Sequence, residues 1–357
     1  MAIYAVIMAG GKGTRLWPIS RSNNPKQLIK LVDNQSLFQK TLERLKPLFE
    51  PDNTLVVAGE ELVPKLREQA AGIPSQNFIV EPIGRGTAPC IGLAAIHVLH
   101  RDPGGVMAVL PADHYITDVG GFHRAMRSSF LAADRGHLVT LGISPTYPAT
   151  GYGYIKQGPV LYELEETRVH RVESFVEKPD EQDAARMLLE GNYSWNSGMF
   201  VWRAERIMEE FLKHMPILYS SLAEIAKNIG KSPYESILHK SWAEVPTETI
   251  DYGVMEKADD VAVIPSSIGW SDIGSWSSLK QMLSEDECRN TLRGHTILVQ
   301  TSRSMIIGGR RLIAAIGLKG ILIVDTEDAL LVCQLKDDQK IRDVVNVLRA
   351  EKKINYL

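Results

Sequence analysis

Short apolar runs alternate with stretches of helical period through the first 141 residues, and this alternation limits the fold more than any single motif. Residues 3–8, 55–58, 78–80, 106–110 and 138–141 have the length and apolar character of strands. Residues 61–71, 87–99 and 122–133 carry helical spacing between them. A further helix opens at Ser36, where Ser36 and Gln39 form a capping box and Leu37, Leu42, Leu45 and Leu48 continue an apolar face. Strands separated by helices of ten or more residues require crossover connections, so the expectation is an α/β fold. Its Rossmann-like, mainly parallel sheet has helices on both faces. In such sheets ligands gather beyond the carboxyl ends of the strands.

After about residue 289 the texture changes. Apolar runs at 297–299, 305–307, 312–316, 321–324 and 330–333 are separated by Gly, Asp or Ser turns without helices. They predict stacked short strands, either a small solenoid or a meander. A closing amphipathic helix over 339–353 places Ile341, Val344, Val345 and Leu348 on one face. The expected boundary lies near residue 290, giving a large domain over 1–290 and a small β domain with a terminal helix over 291–357.

Forty Lys and Arg against 43 Asp and Glu leave a net charge of −3 in 357 residues, which argues against broad capture of nucleic acid. The apolar start runs into glycines and Lys12 without a basic leader, and the span 312–324 is too short to cross a bilayer. A cytoplasmic protein with no membrane or nucleic-acid partner is expected. Cys90, Cys288 and Cys333 form no CxxC pair and suit a reducing compartment as packed or partly buried thiols. His97 and His100 lie one helical turn apart, but no third zinc ligand accompanies them.

Gly10-Gly11-Lys12-Gly13-Thr14-Arg15-Leu16-Trp17-Pro18 follows the first strand. Three glycines in four residues let backbone N–H groups approach negative charge, with Arg15 as a clamp. The segment is not a Walker A loop, because Lys12 is followed by Gly13. Nor is it a dinucleotide fingerprint, because Leu16 occupies the last glycine position, and this excludes an NAD-dependent dehydrogenase.

Joined to Pro25-Lys26-Gln27, this loop resembles the signature of the nucleotidyltransferases that make nucleoside-diphosphate sugars. Further ordered clusters begin at Glu81-Pro82-Ile83-Gly84-Arg85, Pro111-Ala112-Asp113-His114, Gly151-Tyr152-Gly153 and Phe175-Val176-Glu177-Lys178-Pro179. With Trp195-Asn196-Ser197-Gly198, Ile250-Asp251-Tyr252-Gly253 and Trp270-Ser271-Asp272 they are similar to the mannose-1-phosphate guanylyltransferases, and the likeness spans about residues 3–276. The C-terminal part resembles the short left-handed β-helix of the same family.

The resemblance implies transfer of GMP from GTP to mannose 1-phosphate, with Asp113 and Asp272 holding Mg²⁺. It implies catalytic roles for Arg15, Lys26 and Lys178. Nucleotide binding falls to Gly10, Gly11, Gly13, Thr14, Arg15, Glu81, Arg85 and Thr87, and sugar-phosphate binding to Gly151, Glu177, Lys178, Asn196 and Asp251. Arg15, Lys26, Arg85 and Lys178 are expected to converge on one cleft opposite Asp113 and Asp272. The incoming phosphate monoester is already anionic near neutral pH, so no general base is required. Such chemistry needs positioned cations and charge neutralisation.

Taken alone, Asp113, Asp272 and Asp251 also suit caps or turns, Lys26 and Lys178 suit surface turns, and Trp195 and Phe200 suit core packing better than sugar stacking. Gly86 stands where many relatives have Asn, so a side-chain amide is missing beside the base. The alternatives are a uridylyl- or thymidylyltransferase acting on glucose 1-phosphate, or a silent subunit that senses nucleotide sugars. Isomerase activity is not expected from a chain ending about 65 residues after the boundary. A homodimer is allowed.

Overall fold

A computed structural model describes residues 2–11, 13–164 and 167–357; Lys12 of the glycine loop lies outside them. In chain order the first elements are β1 (Ile3–Met8), α1 (Leu37–Leu45), β2 (Thr54–Gly59), α2 (Val63–Gln69), β3 (Phe78–Glu81), α3 (Thr87–Arg101) and β4 (Val106–Pro111). There follow β5 (Tyr115–Ile116), α4 (Val119–Asp134), β6 (Leu138–Ile143), β7 (Tyr154–Leu164), β8 (Thr167–Val176), α5 (Glu181–Glu190) and β9 (Tyr193–Arg203). Then come α6 (Ala204–His214), α7 (Pro216–Ala226), α8 (Tyr234–Ala243), β10 (Val261–Ser266), β11 (Trp270–Ser271) and α9 (Trp276–Met282). The predicted helix over 61–71 is shorter at both ends, and Pro64 occupies its first turn, where a missing N–H costs nothing.

Packing divides the chain into two units, neither continuous in sequence. The first comprises Met1–Gly10, Leu42–Ala112 and Ile116–Trp270; the second comprises Gly11–Thr41, Asp113–Tyr115 and Ser271–Leu357. The glycine loop and the Pro25-Lys26-Gln27 segment therefore group with the C-terminal residues, whereas a cut at residue 290 would assign them to the larger part.

The first unit is built on a nine-stranded sheet of order β3-β2-β1-β4-β9-β6-β10-β8-β7. β1 pairs in parallel with β2 and β4, and β2 with β3, as the strand–helix alternation requires. β9 runs antiparallel to both β4 and β6, and β7 and β8 form an antiparallel pair. Alternate residues Tyr4, Val6, Leu55, Val57, Met107 and Val109 share a core with helix residues Ile91, Leu93, Phe211 and Leu222. Their neighbours Ala5, Ile7, Val56 and Ala108 are equally buried. A sheet covered on both faces explains why these strands are apolar at nearly every position.

In the second unit, β12 (Thr291–Arg293), β13 (Thr296–Val299), β14 (Met305–Ile307), β15 (Ile313–Ile316), β16 (Ile321–Asp325) and β17 (Leu330–Gln334) precede α10 (Ile341–Ala350). β12, β14 and β16 stack in parallel register, as do β13 and β15, so the runs form coils of a β-helix. Only β17 turns back, pairing antiparallel with β16 to close the stack. Met305, Leu322, Val324, Ile341 and Val345 join Leu16, Trp17, Ile273 and Trp276 in this unit's core.

Cys90 is buried and Cys333 half-buried, but Cys288 is exposed, contrary to the expectation of packed thiols, because it sits in the turn before β12. His97 Nε2 lies 2.8 Å from the Tyr234 hydroxyl, and burial, with Arg101 and His100 nearby, lowers its pKa to about 4.

Leu322 is fully enclosed within β16. Leu322→Ala should lower unfolding free energy by about 2–5 kcal/mol, measured by urea denaturation.

Candidate functional site

The glycine loop is shaped by one close approach. Gly13 has φ +54°, and a Cβ there would lie 2.6 Å from the Lys26 Cβ and 2.8 Å from the Lys26 nitrogen. Any other residue would push Lys26 away. Thr14–Leu16 then make a single 3₁₀ turn, which places Arg15 on the cavity wall and Leu16 in the core. Gln27 Nε2 donates to the Gly11 carbonyl at 3.1 Å. Trp17 Nε1 donates to the Tyr356 carbonyl at 2.7 Å, so the chain's last turn braces the loop.

Lys26 is buried. Its ammonium lies 2.8 Å from Asp113 Oδ2 and also donates to the backbone carbonyl of Asp272. Burial alone would raise the Asp113 carboxyl, but the Lys26 charge, with His114 at 3.9 Å, holds it below its ordinary range. Asp272 is fixed differently. Its Oδ1 accepts from the Gly274 N–H at 3.0 Å, and the Ile273 N–H donates to Ser271 Oγ at 3.1 Å. Between them Ile273 has φ +42°, a costly conformation for a β-branched residue, and it is wholly buried.

Gly13, Arg15, Lys26, Asp113, His114 and Asp272 line one cavity of about 390 Å³ in the second unit. Two carboxylates sharing a cavity with basic side chains fit a hard divalent cation that takes its other ligands from water and phosphate. Among the described residues, no group of three or more His, Cys, Asp or Glu side chains forms a closed metal cage.

The remaining expected residues lie in the first unit, in two groups. Glu81 ends β3, and its Oε1 accepts from the Arg85 N–H at 3.1 Å. Burial raises its carboxyl, and that hydrogen bond offsets part of the shift. Gly10 would bring a Cβ to 3.8 Å from the other Glu81 oxygen. The Arg85 guanidinium is engaged by the chain itself, donating to the carbonyls of Val245 at 2.7 Å and Ala243 at 3.1 Å. Thr87 begins α3, and its hydroxyl accepts from the Ile250 N–H at 2.8 Å. Gly86 has φ +92° and ψ −178°, which only glycine adopts readily, and a Cβ there would collide with the Glu248 carbonyl. In this chain the local backbone leaves no room for a side chain at Gly86, so the amide that many relatives carry there has no place.

The second group surrounds Asp251. Asn196 Nδ2 donates to Asp251 Oδ1 at 2.6 Å, and Asn196 Oδ1 accepts from the Gly198 N–H at 3.0 Å. Asp251 opens a π-helical turn through Met255, a local widening common at functional sites, and the N-cap position belongs to Ile250. Burial raises its pKa, and the Glu177 charge adds to that, against the Asn196 hydrogen bond and Lys178. Lys178 has φ +46° and pairs with Glu177.

Gly151 is exposed with open space where a Cβ would be, whereas a Cβ on Gly153 would strike the Glu177 carboxylate. Gly153, within the same Gly151-Tyr152-Gly153 motif, is thus the spatially constrained glycine that sequence reasoning did not single out. Glu256 closes the cluster that Ile250 opens; burial, Glu177 and Asp251 raise its carboxyl. Trp195 and Phe200 pack as core residues, Trp195 against the rings of Tyr147 and Tyr152, and Phe200 stacked on Trp202.

The pH dependence of the Lys26–Asp113 pair has a definite sign. A carboxyl depressed in the folded state stabilises it above the unfolded-chain value, and the increment disappears as pH falls through the folded value. Wild type should therefore lose stability progressively below about pH 4 by this route, and Asp113→Asn should lose less across the same range, compared by thermal melts at stepped pH.

Residues 4–288 match the nucleotidyl transferase family model, and residues 294–348 match a mannoseP isomerase/GMP-like β-helix domain. A mannose-1-phosphate guanylyltransferase of Klebsiella pneumoniae is 41% identical, covering 99% of this chain and 75% of that protein. The alginate biosynthesis protein AlgA of Pseudomonas putida is 39% identical, over 96% of this chain and 71% of its own length. Among solved structures, one described as a mannose-1-phosphate geranyltransferase from Thermus thermophilus superposes with a TM-score of 0.88. It is 34% identical and covers 98% of this chain and all of its own.

Proposed function

The chain belongs to the nucleotidyl transferase family, and from that premise we propose that it transfers GMP from GTP to α-D-mannose 1-phosphate, releasing GDP-mannose and pyrophosphate. The observation that carries this proposal is the buried Lys26 ammonium beside Asp113 and Asp272 on the wall of a cavity that the glycine loop completes. Such a site suits polyphosphate, and the names of the relatives supply the base and the sugar.

In the proposed reaction, an oxygen of mannose 1-phosphate forms a bond to the α-phosphorus of GTP. The bond from that phosphorus to the bridging oxygen breaks, and pyrophosphate leaves with the electron pair. The nucleophile needs no base, so the protein's part is positioning and charge neutralisation. Arg15 and the Gly10, Gly11, Gly13 and Thr14 backbone hold the outer phosphates, with Arg15 countering charge on the departing pyrophosphate. Lys26 neutralises the α-phosphate, Lys178 binds the sugar phosphate, and Glu177, Asn196 and Asp251 hold the sugar hydroxyls beside Gly151. Glu81 and the backbone before Thr87 read the base. Asp113 and Asp272 would hold Mg²⁺, which when bound supplies Lewis-acid polarisation of the α-phosphate.

Catalysis is assigned to residues 1–290 and a supporting role to the β-helix over 291–357. No helix among the described residues is long and apolar enough to cross a membrane, and three free thiols accord with a reaction in the cytoplasm.

Pyrophosphate release should be measured for GTP, ATP, UTP and dTTP, each with mannose 1-phosphate and glucose 1-phosphate, with and without Mg²⁺. GTP with mannose 1-phosphate should lead, and only with the metal. Absence of turnover with every pair would overturn the enzyme assignment; equal rates with UTP would remove only the guanine preference. Lys178→Ala and Asp272→Asn should each lower kcat by roughly 10²–10³-fold with the fold intact by circular dichroism.

A further inference from the structure

In the first unit, one stretch of backbone ties the base-side turn to the sugar-side carboxylate. Residues 242–250 lie along the turn 81–88. Trp242 Nε1 donates to the Ile83 carbonyl at 2.8 Å, and the Arg85 guanidinium donates to the Ala243 and Val245 carbonyls at the end of α8. The Glu248 N–H donates to the Arg85 carbonyl at 2.9 Å, and the Ala88 N–H donates to the Glu248 carbonyl at 3.2 Å. The Ile250 N–H then closes on Thr87 Oγ1. The next residue is Asp251, whose carboxylate takes the Asn196 amide, and the Asn196 N–H in turn donates to the Gly153 carbonyl at 2.8 Å.

This arrangement leaves little slack. Gly86 allows contact with Glu248 that no side chain would permit, and the two end bonds, at Arg85 and Thr87, bracket the strap. An arginine at a helix C-terminus also complements the partial negative charge of the last carbonyls. Both guanidinium Nη atoms are committed to that task.

We propose that Arg85 and the Thr87 hydroxyl are positioning residues for the sugar side of the reaction, acting through the strap 243–250 to set Asp251. The base-side turn thus serves as the footing of the mannose 1-phosphate site, and Arg85 does not select the base. This inference rests on the assignment of Asp251 to the sugar of mannose 1-phosphate.

The test compares Arg85→Gln, Thr87→Val and Thr87→Ser, each alone and combined with Asp251→Asn. KM for mannose 1-phosphate should rise roughly tenfold in Arg85→Gln and Thr87→Val, while the ratio of kcat/KM for GTP over ATP stays at its wild-type value. Thr87→Ser, which keeps the hydroxyl, should recover the mannose 1-phosphate KM lost in Thr87→Val. The effects should be non-additive with Asp251→Asn, as for residues acting through one network. A fall in GTP selectivity with an unchanged sugar KM, or strict additivity, would overturn the proposal.

Amide hydrogen exchange over residues 250–255 gives an answer independent of turnover. Protection should fall in Thr87→Val and return in Thr87→Ser, and unchanged protection would count against the strap. If Arg85→Gln does not fold, the Thr87 pair decides. A wild-type protein without guanylyl transfer would overturn the proposed activity, whereas the exchange measurement would still judge the strap.

Discussion

One ammonium organises the second unit's cavity. Lys26 bonds the carboxylate of Asp113 and the backbone carbonyl of Asp272, joining three segments that sequence separates widely. A buried charge is tolerated only when its hydrogen-bonding capacity is met, and removing one partner of such a pair costs more than the pair contributes. Lys26 therefore cannot drift; the Asp113 carboxylate and the Asp272 backbone take their places from it, while the Asp272 carboxylate is held by the Gly274 N–H. The glycine loop obeys the same demand from the other side, since Gly13 yields the room that the Lys26 backbone occupies.

The first unit handles charge by a different device. Glu81 and Asp251 are carboxyls that burial pushes upward, each steadied by hydrogen bonds from its own loop or a neighbouring strand. Such groups are costly to keep ionised without a ligand, and a polar ligand that completes their hydrogen bonding returns part of that cost on binding. On the proposed assignment, the fold in this way reserves part of its electrostatic energy for the substrates.

The parallel strands β1 to β4 could be read from the sequence because their signal is local: apolar run, turn, helix, apolar run. The antiparallel insertion of β9 between β4 and β6 carries no local mark, since a buried strand looks the same in either direction. The motifs named Lys26, Asp113 and Asp272 without indicating that an ammonium would join them. What Arg85 touches could not be read at all, because its partners are main-chain carbonyls some 160 residues away, and a carbonyl leaves no trace in residue identity. Glycines were visible as glycines, but only space decides that Gly153 is crowded and Gly151 is not.

Ile273 carries a consequence for inheritance and heat. Its left-handed backbone is held by apolar neighbours in the core that also contains Trp276, Met305 and Leu322, and it stands directly after Asp272. Strain of this kind lasts only while its surroundings overrule it. Residues deep in the β-helix thereby act as distant custodians of the backbone that carries Asp272. A change there that merely softens packing would let Ile273 relax and Asp272 drift on warming, before the fold itself is lost.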